Sequence, residues 1–276
     1  MKIGIIGQGF VGNAIYQKFK NYYNVVTYDL KSNLCNSTFE KVAKQLTIFV
    51  CLPTPMNKDE SCNIDLVKET ILKISQTPSP NLFRTVVIKS TVPPGTTEEL
   101  NAQYDSLHII FNPEFLTEAN AVEDFNNQNR IILGGHKDAT SELKRIYIKI
   151  FPTARIIKTD STHAEMVKYL TNSFLATKVS FANEMYEISQ ALGIDYDKVI
   201  EYATQDDRLG KSHWSVPGPD GDFGYGGHCF PKDVKALITV AGDLNLYPEM
   251  LMATDCKNNE VRKDRNWESM KGRAIV

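Results

Sequence analysis

Apolar residues in the first 160 positions gather in short runs, and between those runs they recur at helical spacing. KIGII (2–6) meets GQGFVG, and Val11, Ile15 and Phe19 then repeat every fourth residue, so the order reads strand, turn, helix. VVTYDL follows as a second β-rich run, then a helix-like segment through Phe39, Val42 and Leu46, then LTIFVCLPTP. TVVIKSTV, HIIFNPEF and RIILGG are further strand candidates, each set apart by a helical or polar stretch. This alternation predicts an α/β fold, a doubly wound parallel sheet with helices on both faces.

After ARIIKTD the pattern changes. The segment STHAEMVKYLTNSFLATKVSFANEMYEISQALG carries apolar residues at Met166, Leu170, Phe174, Phe181, Met185 and Ile188, which predicts one long helix. Thr162 and Glu165 have capping-box spacing, and Gly193 stands where a C-terminal cap belongs. Past it the chain reads as helical except for the loop GKSHWSVPGPDGDFGYGGHCFP. The expected division is a sheet domain over 1–157 and an all-α domain over 158–276, built on the long helix.

Composition narrows the function classes. The chain has 276 residues, with 31 Lys plus Arg against 33 Asp plus Glu and a formal charge of -2. That balance gives no electrostatic footprint for nucleic acid or an anionic membrane. The opening IGII is broken by Gly7 and Gly9, and no run approaches the roughly 18 apolar residues of a membrane span, so a cytoplasmic protein is expected. Five cysteines (35, 51, 62, 229, 256) are an odd count at irregular spacing, which fits a reducing compartment and neither a disulfide framework nor a metal site.

GQGFVG sets Gly7, Gly9 and Gly12 in the G-x-G-x-x-G pattern between a strand and a helix. The first glycine permits the turn, the second lets the backbone approach a pyrophosphate, and the third lets helix pack on strand. The second strand ends at Asp29, whose carboxylate would accept from an adenosine ribose and repel a 2′-phosphate, so NAD is favoured over NADP. The expectation is a Rossmann-type dinucleotide site, with a merely structural turn as the alternative and Lys31 slightly weakening the exclusion of NADP.

Three further groups carry candidate chemistry. Glu114 and Glu118 in NPEFLTEA, and the loop KSTVPPGTT, stand at strand ends where open α/β sheets place function, although on residues alone the acidic pair reads first as solvated. Lys168 and Asn172 share one face of the long helix with Glu165, and again a solvated face is the plainer reading. Cys229 precedes Pro231, a residue suited to a first helical turn, so the thiol would sit at an N-terminus whose dipole favours thiolate. Lys232 and His228 could add positive charge, and Gly224, Gly226 and Gly227 clear side chains as a ligand would require; the alternative is an inert buried cysteine.

Taken in order, GQGFVG, LPTP, STVPPGTT, NPEFLTEA, EMVKYLTNSFLATKVSFANE, DDRLG and GYGGHCFPKD resemble the UDP-glucose 6-dehydrogenase family of nucleotide-sugar dehydrogenases, over nearly the whole chain. The resemblance implies four-electron oxidation of a sugar C6 alcohol to a carboxylate with two NAD, giving UDP-glucuronate for polysaccharide biosynthesis if the substrate is UDP-glucose. It implies Cys229 as nucleophile, Lys168 and Asn172 as oxyanion donors, and Glu114, Asp233 and Thr91 managing protons and the hydrolytic water. For the cofactor it implies Gly7, Gly9, Phe10, Val11, Gly12, Asp29, Pro53, Thr54, Thr91, Glu118 and Lys232. For the sugar nucleotide it implies Phe115, Leu116, Glu118, Lys168, Asn172, Tyr225 and Gly226, with Arg208 reaching a neighbouring subunit of a homodimer built on the long helix.

The family normally continues into a second Rossmann-like domain that closes over the uridine nucleotide, and this sequence stops at NWESMKGRAIV, where that domain would begin. Three alternatives stay open: a dehydrogenase for UDP-N-acetylmannosamine or another nucleotide sugar, a two-electron β-hydroxyacid-type dehydrogenase, and a non-catalytic NAD-binding subunit.

Overall fold

The computed structural model describes residues 2–81 and 83–276. Two compact units divide the chain: the residues up to Thr54 with Ile64–Lys168, and Pro55–Asn63 with Tyr169–Val276. The division falls inside the long helix rather than at its start, and a short excursion after the third strand joins the second unit.

The first unit is a seven-stranded sheet: β1 (Lys2–Ile6), β2 (Asn24–Tyr28), β3 (Thr47–Val50), β4 (Arg84–Ile88), β5 (Leu107–Phe111), β6 (Arg130–Gly134) and β7 (Arg155–Thr159). Their spatial order is β2-β1-β3-β4-β5-β6-β7. Around it lie α1 (Phe10–Phe19), α2 (Phe39–Ala43), α3 (Asp65–Gln76), α4 (Thr96–Gln103), α5 (Ala121–Asn127) and α6 (Lys137–Ile150). Successive side chains of a strand point to opposite faces, which explains the continuous apolar runs. Ile3, Ile5, Phe49, Val87 and Ile110 pack with α1, α5 and α6 residues, while Ile6, Ile48, Val50, Val86 and Ile109 pack with α2, α3 and α4 residues. On the edge strand β2, the Asn36 side chain accepts from Thr27 N at 2.7 Å and donates to Val25 O, pairing groups that a neighbouring strand would otherwise take.

The expected doubly wound sheet is present with one departure: β6 meets β5 antiparallel, at the pair Phe111↔Gly134. The other neighbouring pairs are parallel. The connection between β5 and β6 contains the seven-residue helix α5. Beyond the pair, Asn112 Nδ2 continues the contact by donating to Ile132 O at 2.7 Å.

The long helix α7 (Ser161–Ala191) contributes to both units. Its start differs from the expected capping box: His163 N donates to Asp160 Oδ1 at 2.9 Å, which makes Asp160 the cap. Glu165 instead accepts from Gly95 N at 2.6 Å and Thr97 N at 2.9 Å, so its carboxylate caps α4. The C-terminal end is as expected, with Gly193 at φ 68° and its N–H donating to Gln190 O.

The second unit adds α8 (Tyr196–Ala203), α9 (Phe230–Asp243) and α10 (Glu249–Val261). Small clusters form its core, such as Tyr169 with Ala236 and Leu237, and Ala182 with Tyr196 and Val216. Asn258 of α10 clamps the backbone of Tyr225, accepting from its N–H at 2.6 Å and donating to its carbonyl at 3.0 Å. Residues 55–63 are held by a Met56↔Ile275 bridge and by Lys235 of α9, which pairs with Glu60 at 2.7 Å.

Candidate active site

In the order β2-β1-β3 the direction of winding reverses between β1 and β3, and open α/β sheets bind ligands beyond the carboxyl ends of strands at such a point. The glycine turn leaves β1 there. Gly7 has φ 89°, and a Cβ on it would lie 2.2 Å from Cys51 O; one on Gly12 would lie 1.9 Å from Gly7 O. Both glycines are therefore demanded by the chain itself. Gly9 is not: a Cβ there meets nothing within 4 Å, so the backbone is bare on the side where a pyrophosphate approaches. No side chain caps α1, whose first turn is free of acidic residues, which leaves an N-terminus suited to an anion. Asp29 lies alongside, accepting Gln8 N at 2.7 Å and Lys31 N at 2.9 Å. These residues fit NAD, with Phe10 and Val11 in the first turn of α1.

The ends of β3, β4 and β5 supply the rest of this half. Thr54 and Thr91 are buried and Pro53 is exposed. Leu52 N donates to Ser90 Oγ at 2.9 Å, tying the LPTP loop to the STVP loop. Glu114 is buried at the end of β5, where Lys168 Nζ donates to its Oε1 at 2.8 Å and its carbonyl at 2.7 Å. Its other oxygen accepts Leu116 N at 2.6 Å. Burial raises the Glu114 pKa, but the Lys168 charge and hydrogen bond, the Leu116 amide and the Lys89 charge outweigh it, so the carboxyl lies below its ordinary value. Phe115 lies under two cations, Arg130 at 4.2 Å and Lys168 at 5.7 Å from the ring centre. Glu118 is exposed.

In the second unit Cys229 is the N-cap of α9, with Pro231 in the first turn, and its carbonyl accepts Asp233 N at 2.9 Å. Asp233 is almost wholly buried and accepts from Lys232 Nζ at 2.5 Å and Asn172 Nδ2 at 2.6 Å. Burial opposes the Lys232 charge, yet Asp233, Cys62 and Cys229 raise its pKa above the ordinary lysine value. Asn172 is thereby fixed in orientation, one turn of α7 beyond Lys168.

Two glycines near the cysteine have a different cause from the one expected. A Cβ on Gly224 would lie 2.3 Å from Asn258 Oδ1, and one on Gly226 would lie 2.4 Å from the Arg262 guanidinium. Their missing side chains make room for this chain's own residues; only at Gly227, with φ 71°, is the space open. Tyr225 is buried, and Arg208 stands exposed on a short turn, held by Asp206. Met185 packs against Ala182 and Tyr196 and is not on the exposed stripe of α7, which comprises Met166, Leu170, Phe174, Phe181 and Ile188.

Sequence reasoning passed over Lys89, a buried lysine whose Nζ donates to Asn112 Oδ1 at 3.1 Å and Pro113 O at 3.3 Å. The available signal was a charge closing an otherwise apolar run, TVVIK. Among the described residues no group of three His, Cys, Asp or Glu could hold a metal, and no helix is long and apolar enough to cross a membrane.

Residues 20–151 match the NAD-binding domain of the UDP-glucose/GDP-mannose dehydrogenase family, and residues 162–260 match its central domain. The chain belongs to this family. It is 30% identical to the UDP-glucose 6-dehydrogenase AglM of Haloferax volcanii over 92% of the chain and 68% of that protein. To the UDP-glucose 6-dehydrogenase YwqF of Bacillus subtilis it is 33% identical over 84% of the chain and 53% of that protein. A solved UDP-glucose dehydrogenase from Pyrobaculum islandicum superposes with a TM-score of 0.84 and 28% identity, covering 94% of this chain and 68% of that one. The chain thus spans between about half and two thirds of these relatives' lengths. Family membership makes NAD the cofactor of the chain and places it in a family of dehydrogenases.

Proposed function

We propose that the chain is the catalytic body of an NAD-dependent nucleotide-sugar 6-dehydrogenase acting on UDP-glucose, and that it oxidises the C6 alcohol to the carboxylate through an adduct on Cys229. The observation that carries this reading is the start of α9, where Cys229 is the N-cap residue of a helix, beside Lys232, and Asp233 orients Asn172. A helix N-terminus and a neighbouring cation both favour thiolate. NAD would supply the hydride acceptor when bound, one molecule for each of the two oxidations.

The chain's own residues account for the remaining bonds. Glu114, held ionised, accepts the alcohol proton as the aldehyde forms. The Cys229 sulfur adds to that aldehyde and retains it as a thiohemiacetal, and after the second oxidation the sulfur holds a thioester. Asn172, with one N–H committed to Asp233, keeps its second for the oxyanion, to which Lys168 adds positive charge. Water, ordered by Thr91, cleaves the thioester, releasing carboxylate and thiol, with Asp233 or Glu114 taking the proton.

We also infer a homodimer through the α7 stripe, because Leu170, Phe174, Phe181 and Ile188 are all exposed at intervals that keep them on one side of the helix. Arg208, exposed on its turn, would then serve the substrate of the second copy.

The test is NADH formed per sugar consumed across a panel of nucleotide sugars. Two NADH and one acid per UDP-glucose are expected. One NADH per molecule would mean a two-electron enzyme; preference for an N-acetylmannosamine nucleotide would move the substrate; no NADH would leave a non-catalytic subunit. Cys229→Ser should cut acid formation by orders of magnitude while NAD binding is retained, since a hydroxyl is a far weaker nucleophile.

A further inference from the structure

Lys89 is in none of the roles described above, yet it is buried at the carboxyl edge of the sheet among functional groups. Its Nζ reaches Asn112 Oδ1 at 3.1 Å and Pro113 O at 3.3 Å, the two residues immediately before Glu114. Asn112 Oδ1 also accepts the Tyr147 hydroxyl at 2.5 Å, and its amide donates to Ile132. The backbone leading into Glu114 is therefore tied to β4, α6 and β6 through a single side chain, and the ammonium is one of its anchors.

A cation held there costs free energy, since burial disfavours its charge, and a structural anchor needs only a neutral donor. The surrounding charges indicate what the positive charge acts on. Cys51 lies at the end of β3, Tyr147 on α6, Lys168 on α7 and Glu114 past β5. Burial pushes the Cys51 thiol up to about 12 and raises Tyr147 as well, so neither supplies an anion near neutral pH. Glu114 is the anion that faces Lys89, and Lys89 in turn helps to lower its pKa.

We propose that Lys89 is a positioning residue for Glu114: its ammonium fixes the Asn112–Pro113 segment that aims the carboxylate, and with Lys168 it supplies the second positive charge that keeps the carboxylate ionised. The proposal rests on the reading of Glu114 as a proton acceptor in sugar oxidation, and it adds a residue to that reaction. Because burial pushes Lys89 down to about 8, its charge is present at neutral pH and lost in mildly alkaline solution.

The experiment compares the native chain with Lys89→Met, which keeps the length without the charge, and Lys89→Gln, which also keeps a donor. Each chain is labelled with ¹³C at the glutamate carboxyl carbons, the Glu114 signal is assigned by its loss in Glu114→Gln, and folding is checked by circular dichroism. In both variants the Glu114 titration should move toward neutral pH by about one pH unit. A second inflection of its signal near pH 8, expected in the native chain, should vanish. With UDP-glucose, the acid limb of kcat should move with the carboxyl, so that kcat falls up to about tenfold at pH values below the native titration, with KM for NAD unchanged. An unmoved Glu114 titration in the folded variants overturns the proposal, as a packing role would not shift it. If no nucleotide sugar is turned over but the titration still moves, the proposed reaction fails and the Lys89–Glu114 coupling stands.

Discussion

Asp233 provides a direct test of how the helical unit is held together. Its carboxylate, about 1% exposed, is shared by Lys232, whose side chain is 8% exposed, and by Asn172. Asp233→Ala leaves a buried cation unpaired, at a cost of about 3 to 5 kcal/mol, and strands an Asn172 N–H for roughly 1 kcal/mol more. At about 2 to 4 °C per kcal/mol for a chain of this size, the melting temperature at pH 7 should fall by about 10 °C or more. Both burials oppose solvent screening, so no discount for exposure applies. The double change Asp233→Leu with Lys232→Met removes both charges together and should recover most of the loss, because apolar replacement of a buried pair is often neutral.

The pH dependence supplies a second check. Lys232 has a raised pKa in the folded chain. Its contribution is therefore fully present below the unfolded lysine value, about 10.4, and is lost only as pH rises through the folded value. In Asp233→Ala the same lysine is buried without its carboxylate, its pKa falls, and losing the proton relieves the penalty. The gap between native and variant is thus expected to be widest near neutrality and to narrow toward pH 10. Thermal melts by circular dichroism between pH 6 and 10 measure it. A variant within about 1 kcal/mol of native at pH 7, or a double variant as unstable as the single, would refute the reasoning.

The glycine turn gives a paired prediction: Gly12→Ala, with its Cβ 1.9 Å from a backbone carbonyl, should destabilise the chain by about 4 kcal/mol or more. Gly9→Ala should leave stability within about 0.5 kcal/mol and still weaken NAD binding at least tenfold in calorimetry, since the methyl enters the open approach to α1. At micromolar concentration the native chain should scatter light as a dimer, and Phe174→Glu, at a residue 64% exposed, should yield a folded monomer whose melting temperature no longer rises with protein concentration.

The parts of the site that were legible in the sequence are those whose cause is local. A Cβ on Gly12 would clash with Gly7, a contact that any strand-turn-helix of this spacing creates, and Gly7 has the positive φ of the turn itself, so the motif alone announces both. The Cys51 carbonyl that also excludes a side chain at Gly7 comes from a strand distant in sequence. Cys229 at the cap of α9 follows likewise from Pro231 two residues on. Partners far away in sequence were not legible. Glu165 reads as half of a capping box with Thr162, yet it caps α4, whose amides at Gly95 and Thr97 are brought to it by the fold. Gly226 reads as space for a ligand until Arg262 is seen to fill it. Lys89 was hidden for the same reason, since a lysine ending a strand reads as a solvated tip unless Asn112 and Pro113 are known to receive it. Within one element, residue type and spacing determine which groups meet, whereas between elements the sheet order decides. The charges around Glu114, which itself follows β5, come from the end of β4 and from α7, so no single stretch of sequence contains them.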